Sequence, residues 1–308
     1  MDRRAIVFFV LTSVFFGGTF VGAKAGLTAV PPLLLLGLRF DVAAIVLGGY
    51  VLWRYSPSAL RPRTRDDLVG ILATGFVAVG VTNALIFVGQ QYVTSGVSSI
   101  ITSLNPILTP VFAAALVADE ELSRRGAFGM LIGLVGVALV VSPDPAQLMG
   151  GAILGKMLVF GAAITGALGS VLIRWADSDL SASIRTAWGV PIAAVFVHLL
   201  SLRADESVAS VVWSPTAIAS IVYLGVFAGG VAYITYFTLI DTTGVIRANL
   251  VFYLVPVVAA LGGWLLLGES LTMVAIVGFF VIFAGFAVIG SEELSYGDLE
   301  RSMSRLAS

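Results

Sequence analysis

The sequence predicts an all-α membrane protein with ten transmembrane helices, arranged as two inverted five-helix repeats. Three observations lead to this fold class. First, 58% of the 308 residues are hydrophobic and only 11% are charged, whereas a soluble domain carries about 25% charged residues. Second, the apolar residues fall into segments of about 20 residues, the length that crosses a hydrocarbon core about 30 Å thick. Third, the two halves of the chain share an ordered series of residues.

The apolar segments are separated by short loops that carry prolines and charges. Pro31 and Pro32 end the first segment, Arg61–Asp67 separates the second from the third, and Ser142–Pro145 follows the fifth. The ten predicted spans cover about residues 5–25, 33–53, 68–89, 95–117, 125–142, 150–173, 182–202, 215–238, 246–267 and 271–290.

The positive charges orient these spans. With the N-terminus inside and ten alternating helices, most of the 17 lysine and arginine residues fall on the cytoplasmic side, and only Lys24, Lys156 and Arg203 lie near the outer side. The sequence therefore predicts a multi-pass protein of the cell membrane with both termini cytoplasmic. The polar stretch 291–308 is predicted to be a cytoplasmic tail.

The two halves contain the same residue types in the same order. The matched pairs are Pro106 and Pro256, Glu120 and Glu269, Gly129 and Gly278, and Gly136 and Gly285. Since each half has an odd number of predicted helices, the second half must insert upside down, and inverted repeats are a common build for transporters. Chance matching of small residues is the alternative. The predicted repeats are residues 1–145 and 146–290, and the two prolines predict a kink or a flexing point inside helices four and nine.

Composition argues against several function classes. The chain has no cysteine and a single histidine, His198, so that a thiolate or histidine-rich metal site and a Ser/His triad are not expected. No Gly-rich phosphate loop is present, which argues against ATP hydrolysis. The net charge of −1 argues against a nucleic-acid partner. We therefore expect neither an enzyme nor a cofactor. A channel or receptor stays an alternative, although such proteins usually show a selectivity ring or large extramembrane domains.

Three stretches resemble a known family. Phe16–Lys24, which reads FGGTFVGAK, is followed by Pro31 and by Leu38–Phe40, which reads LRF; Leu267–Glu269 reads LGE. In this order they resemble the EamA-type members of the drug/metabolite transporter superfamily, over about residues 5–290. Phe16 replaces a tryptophan that is common there, and Val117–Glu120 departs from the usual LGE. The resemblance implies a ten-helix inverted-repeat fold and the export or exchange of metabolites, often amino acids.

Several predicted helices carry polar side chains on one face, as the spacing of Ser98, Thr102 and Asn105 in the fourth helix illustrates. At membrane depth such a face meets either another helix or a water-filled cavity. We expect these faces to converge on one central cavity, with interhelical hydrogen bonding as the alternative for each residue. The candidate substrate-binding residues are Arg39, Asn83, Ser98, Thr102, Asn105, Tyr233, Tyr236, Asn249 and Tyr253.

Each ionisable group inside a predicted span requires an explanation, because placing a charge at membrane depth costs free energy. Arg39 either holds an anionic group of a substrate or pairs with a neighbouring polar group to fix packing. His198 is either a proton relay or a structural residue, so a coupling proton stays an alternative. Glu120 and Glu269 are interpreted mainly as carboxylates that stabilise helix N-termini.

Together these features predict a secondary transporter of small metabolites, which are amino acids or related amphipathic compounds, working by alternating access. The expected partners are a small-molecule substrate and the lipid bilayer, and the oligomeric state stays open. The alternative functions are a carrier or flippase for lipid-like or nucleotide-linked substrates and a non-transport receptor or channel.

Overall fold

The computed structural model describes residues 3–116, 124–141, 151–243, 248, 250–285 and 287–288, and these residues form helices and no strand. The helices are α1 Arg3–Gly26, α2 Pro32–Arg54, α3 Arg65–Gln90, α4 Ser95–Leu116, α5 Arg124–Val141, α6 Gly151–Trp175, α7 Ala182–Arg203, α8 Pro215–Ile240, α9 Val251–Leu267 and α10 Met273–Gly285.

Seven of the described helices, α1 to α4 and α6 to α8, are long and apolar enough to cross a membrane by length and composition. The helices α9 and α10 are shorter apolar helices over their described residues, and α5 has 18 residues. The all-helical membrane fold is therefore confirmed, while the number of ten crossings stays a prediction.

Several helix ends coincide with capping residues. The Thr64 hydroxyl accepts the backbone N–H of Asp67, whose carboxylate accepts the backbone N–H of Thr64, so that a capping box starts α3. The Ser214 hydroxyl caps α8. At the end of α9, Gly268 has φ = 66°, a left-handed conformation that costs glycine little and ends helices.

Eight helices form a closed ring of contacts in the order α1, α9, α4, α6, α3, α7, α2, α8 and back to α1. Each contact of this ring has a counterpart in which the equivalent helices of the two halves are exchanged. Thus α3 packs on α6 and α7, as α8 packs on α1 and α2. The helices α2 and α7 are equivalent in the two halves and contact each other, and the same is true of α4 and α9. The ring therefore has an approximate two-fold arrangement that follows the repeat in the sequence.

The glycines of the sequence repeat lie where α5 and α10 touch. A Cβ atom at Gly278 would lie 2.7 Å from the carbonyl oxygen of Gly136, and a Cβ atom at Gly285 would lie 2.5 Å from that of Gly129. Any larger side chain would force the two backbones apart. The matched glycines of the two halves therefore serve close packing between those halves.

The helices α3 and α8 each contain a π-helical section at equivalent places, Ala73–Val81 and Tyr223–Val231. Both sections lie against a neighbouring helix at a glycine: a Cβ atom at Gly225 would lie 3.1 Å from the carbonyl oxygen of Arg39 in α2. In the other half, Gly75 meets the backbone of α7 in the same way. The sequence did not predict these sections.

The helix α4 is interrupted after Ser95–Thr102 and resumes at Asn105–Leu116. The expectation that Pro106 lies inside a continuous helix needs correction, because Pro106 occupies the first turn of the second section. There its missing N–H removes no helical hydrogen bond. Pro256 does lie inside α9.

Candidate functional site

Arg39 of α2 is the most deeply buried arginine that the structure describes, with 4% of its surface exposed. Its Nη2 atom donates to Oδ1 of Asn83 in α3 at 2.8 Å. Asn83 is held in place by its own Nδ2, which donates to the carbonyl oxygen of Val79 at 2.8 Å. The Arg39 guanidinium carbon also lies 4.9 Å from the ring centroids of both Phe40 and Phe87, within cation–π range.

The guanidinium of Arg39 has no carboxylate partner among the described residues. The one side-chain ion pair found there joins His198 to Asp41. Nε of Arg39 is buried and makes no hydrogen bond. Burying a cation costs several kcal/mol unless it is paired and hydrogen-bonded. Asn83, a neutral amide, compensates only part of this cost, so the site has an unused capacity for a negative charge.

A group of aromatic residues joins α1, α8 and α9 and packs against the same hydrophobic core. The ring of Phe16 lies 5.3 Å from Tyr233, 5.8 Å from Tyr236 and 6.0 Å from Phe252, measured between centroids. Phe40 and Phe87, which flank Arg39, belong to the hydrophobic core against which these four rings pack. We refer to Arg39, Asn83, Phe16, Tyr233, Tyr236 and Phe252 as the Arg39 cluster. All but the two polar residues belong to, or pack against, one hydrophobic core.

A narrow cleft between α4, α9 and α10 adjoins the cluster. Tyr253 lines it, with its ring 4.9 Å from that of Phe283. Ser103 and Pro106, at the interruption of α4, also line it. Phe252, a member of the Arg39 cluster, also lines this cleft, so the two regions share one residue.

The polar face of α4 is bonded mainly to its own helix. The Thr102 hydroxyl donates to the carbonyl oxygen of Ser98 at 3.1 Å, and Thr109 donates to that of Asn105 at 2.8 Å. The Asn105 side chain faces α6, where Gly166 leaves room for it. Ser98 is fully buried, and its hydroxyl has no partner among the described atoms.

The structure therefore places the candidate residues in three groups. Arg39, Asn83, Tyr233 and Tyr236 come together, Tyr253 lines the adjoining cleft, and Ser98, Thr102 and Asn105 lie along α4. Asn249 lies outside the described residues. Whether these side chains bind a substrate stays a prediction.

Sequence reasoning missed two members of the cluster, Phe16 and Phe252. Phe16 entered only as a departure from a family motif, and Phe252 was not considered. A phenylalanine does not stand out in an apolar helix. Its position in the sequence could have identified Phe252. It precedes Tyr253 and follows Asn249 by three residues, which places it on the polar face of the predicted ninth helix.

His198 and Asp41 connect α7 to α2. The His198 Nε2 atom lies 2.9 Å from Oδ2 of Asp41, and the side chains are 35% and 49% exposed. The imidazole ring covers Gly37, where a Cβ atom would lie 2.5 Å from Cε1. The pair thus stabilises the contact between the two helices. Among the described residues, no group of three or more histidine, aspartate or glutamate side chains is placed to hold a metal ion.

Comparison with known proteins identifies one family. The sequence profile of the EamA-like transporter family matches the chain twice, at residues 3–142 and 153–291. A crystal structure of another protein matches the fold with a TM-score of 0.64 at 20% identity, over 94% of this chain and 97% of the other. At that identity, the likeness shows the fold alone.

Three curated relatives have names that describe transport. An uncharacterized transporter of Archaeoglobus fulgidus is 25% identical, over 91% of this chain and 96% of its own length. The uncharacterized transporter YoaV of Bacillus subtilis is 24% identical, over 90% and 93%. A protein of Escherichia coli named "probable amino-acid metabolite efflux pump" is 29% identical, over 94% and 95%. The matches extend over nearly the whole chain.

Proposed function

The chain belongs to the EamA-like transporter family, and from this premise we propose that it is a secondary transporter of small metabolites, which are amino acids or related amphipathic compounds. It exports or exchanges them across the cytoplasmic membrane, with both termini in the cytoplasm. One relative is named as an efflux pump for amino-acid metabolites, which supports this substrate class and direction.

The observation that carries the proposal is the position of the Arg39 cluster within a two-fold ring of helices. The cluster draws on α2 and α3 of the first half. It also includes Tyr233 of α8 and Phe252 of α9 in the second half, which both contact Phe16 of α1. A site shared by two pseudo-symmetric halves can be exposed to either side as the halves rock, which is the usual arrangement in repeat-built transporters.

The side chains of the cluster suit an amphipathic small molecule. Aromatic rings supply apolar walls, and the tyrosines add a polar tip. Since the sequence carries no nucleotide-binding loop, the energy comes from an ion gradient or from the concentration difference of the substrate.

Counterflow in proteoliposomes tests the proposal. Vesicles containing the purified protein are loaded with a mixture of amino acids, their deaminated acids and other small metabolites, and exchange is followed by mass spectrometry. We expect selective exchange of one or a few compounds. Asn83→Ala should reduce that exchange, whereas Asp179→Asn, at an exposed residue outside the cluster, should not. No exchange across the panel by folded protein would contradict the proposal.

A further inference from the structure

We propose that the Arg39 cluster selects substrates with a single negative charge on an apolar body, in preference to zwitterionic, neutral or cationic analogues. This inference rests on the proposed transport function and names the substrate class of the same site.

The first argument is the incomplete pairing of Arg39. Nη2 binds Asn83, while Nε is buried without a partner. In a low-dielectric interior the attraction between opposite charges is several-fold stronger than in water. An arriving anion would therefore gain both a hydrogen bond and a charge pair that the unoccupied protein lacks.

The second argument is the shape of the donor. A guanidinium presents its N–H groups in a planar fork that matches the two oxygens of a carboxylate, whereas a lysine would offer only a point charge. Asn83 and the rings of Phe40 and Phe87 fix the plane of the Arg39 guanidinium. The fork is thus oriented before a ligand arrives, which lowers the entropic cost of binding.

The third argument concerns the rest of the ligand. Phe16, Tyr233, Tyr236 and Phe252 have rings about 5 to 6 Å apart. They pack against the hydrophobic core that contains Phe40 and Phe87, the two rings beside Arg39. Such a surface accepts an apolar or aromatic body. A polar or multiply charged ligand would lose its hydration there without compensation.

The fourth argument separates acids from amino acids. The carboxylates that the structure describes with hydrogen-bond partners are engaged away from the cluster. The Asp41 carboxylate binds His198, that of Asp67 accepts the backbone N–H of Thr64 at the start of α3, and that of Glu269 caps α4. Glu206 caps α2. In the described part of the chain, the cluster thus offers an anion a cationic partner but offers an ammonium group no carboxylate. A free amino group on the ligand therefore weakens binding at this site.

Two matched ligand series test the inference. The aromatic series is 3-phenylpropionate, phenylalanine, 3-phenylpropanamide and phenethylamine; the aliphatic series is 4-methylvalerate, leucine, 4-methylvaleramide and isoamylamine. Within each series the apolar body is nearly constant while the charge changes. Binding is measured by titration calorimetry and by thermal unfolding of the protein in lipid nanodiscs.

We expect the carboxylate of at least one series to bind about tenfold or more tightly than its amide, with the amino acid between them and the amine weakest. Arg39→Gln should remove the difference between carboxylate and amide. Arg54→Gln, which removes an exposed arginine at the other end of α2, should preserve it. Because the wild-type protein alone reports the charge preference, the test does not depend on the folding of the Arg39 variant.

Equal binding of carboxylate and amide, tighter binding of the amine, or no binding of either carboxylate by folded protein would overturn the inference. Counterflow of the same compounds separates this result from the broader proposal. Exchange of metabolites without anion preference would refute the inference alone. Anion-selective binding without exchange would refute the transport function alone.

Discussion

Glu269, in the turn after α9, caps the N-terminus of α4 through Ser95. The backbone N–H of Ser95 lies 3.1 Å and 3.0 Å from the two carboxylate oxygens of Glu269. The residues are 174 positions apart and belong to different halves of the chain. Beside them, Lys24 of α1 donates to the carbonyl oxygens of Gln90 and Val93. The α3–α4 turn is therefore clamped by an anion at a helix N-terminus and a cation at a helix C-terminus, the favourable arrangement for both helix dipoles.

The first prediction concerns this clamp. Glu269→Gln keeps the shape of the side chain but removes the charge, so we expect the free energy of unfolding to fall by about 1 kcal/mol. Thermal unfolding in a fixed detergent measures the change. Asp179→Asn, at an exposed loop residue, is the control and should have an effect below about 0.5 kcal/mol. Equal effects of the two substitutions would show that Glu269 contributes nothing as a cap.

The second prediction concerns the close approach of α5 and α10. Gly278→Ala places a Cβ atom against the carbonyl oxygen of Gly136. The backbone of a helix cannot move aside as easily as the end of a flexible side chain. We expect a loss of about 1 to 3 kcal/mol of stability. Gly48→Ala is a matched control on α2, because no atom lies within 4 Å of its Cβ position. That substitution should be neutral or stabilise by up to about 1 kcal/mol through helix propensity. Unfolding transitions that move in the same direction would count against the predicted contact.

Hydropathy predicted the positions of the helices, because a bilayer demands long apolar segments whatever their partners. It could not predict the π-helical section Ala73–Val81, since π- and α-helices share the same apolar composition. Arg39 and Asn83 were identified as polar residues inside predicted spans. Their hydrogen bond could not be predicted, because residues 44 positions apart meet only through tertiary packing. The sequence predicted that Glu269 caps a helix N-terminus. The helix that it caps is α4 rather than α10, because the ring brings the two loops together. Thr272 caps α10 instead.

The exposed tryptophans lie where the predicted topology places the two membrane–water interfaces. All five tryptophans of the chain lie at or near helix ends and are exposed: Trp53, Trp175, Trp188, Trp213 and Trp264. With the N-terminus inside, the first three fall at the cytoplasmic side and the last two at the outer side. Tryptophans concentrate at both membrane–water interfaces. Their distribution therefore agrees with the predicted helix ends and is the same for either orientation of the chain.

The third prediction tests that orientation. The chain contains no native cysteine, and single cysteines can therefore be read without a background. Intact cells are treated with a membrane-impermeant thiol reagent. We expect labelling of Ala209→Cys, in the exposed α7–α8 loop, and protection of Arg61→Cys in the α2–α3 loop and of Ser304→Cys near the C-terminus. Permeabilised cells provide the control, in which all three should react. Labelling of Arg61→Cys in intact cells would reverse the topology.

The fourth prediction tests whether the unused pairing capacity of Arg39 is functional. Asn83→Asp places a carboxylate where the amide oxygen now lies 2.8 Å from Nη2. A permanent ion pair would then satisfy the guanidinium and compete with an anionic substrate. We expect counterflow to fall by at least about tenfold. The stability of the protein should be kept or raised by about 1 kcal/mol, the usual difference between a charged and a neutral hydrogen bond.

Asn83→Ala is the contrasting variant, because it removes the acceptor without supplying a charge. It should lower both stability and transport, so the two variants move stability in opposite directions while both impair transport. Unfolding in nanodiscs and counterflow in proteoliposomes measure the two quantities on the same preparations. Full transport activity in Asn83→Asp would mean that Arg39 serves packing alone, because a neutralised guanidinium could no longer attract the substrate. A stable Asn83→Asp protein that is inactive, beside a less stable Asn83→Ala protein, would instead tie the vacant donors of Arg39 to substrate binding.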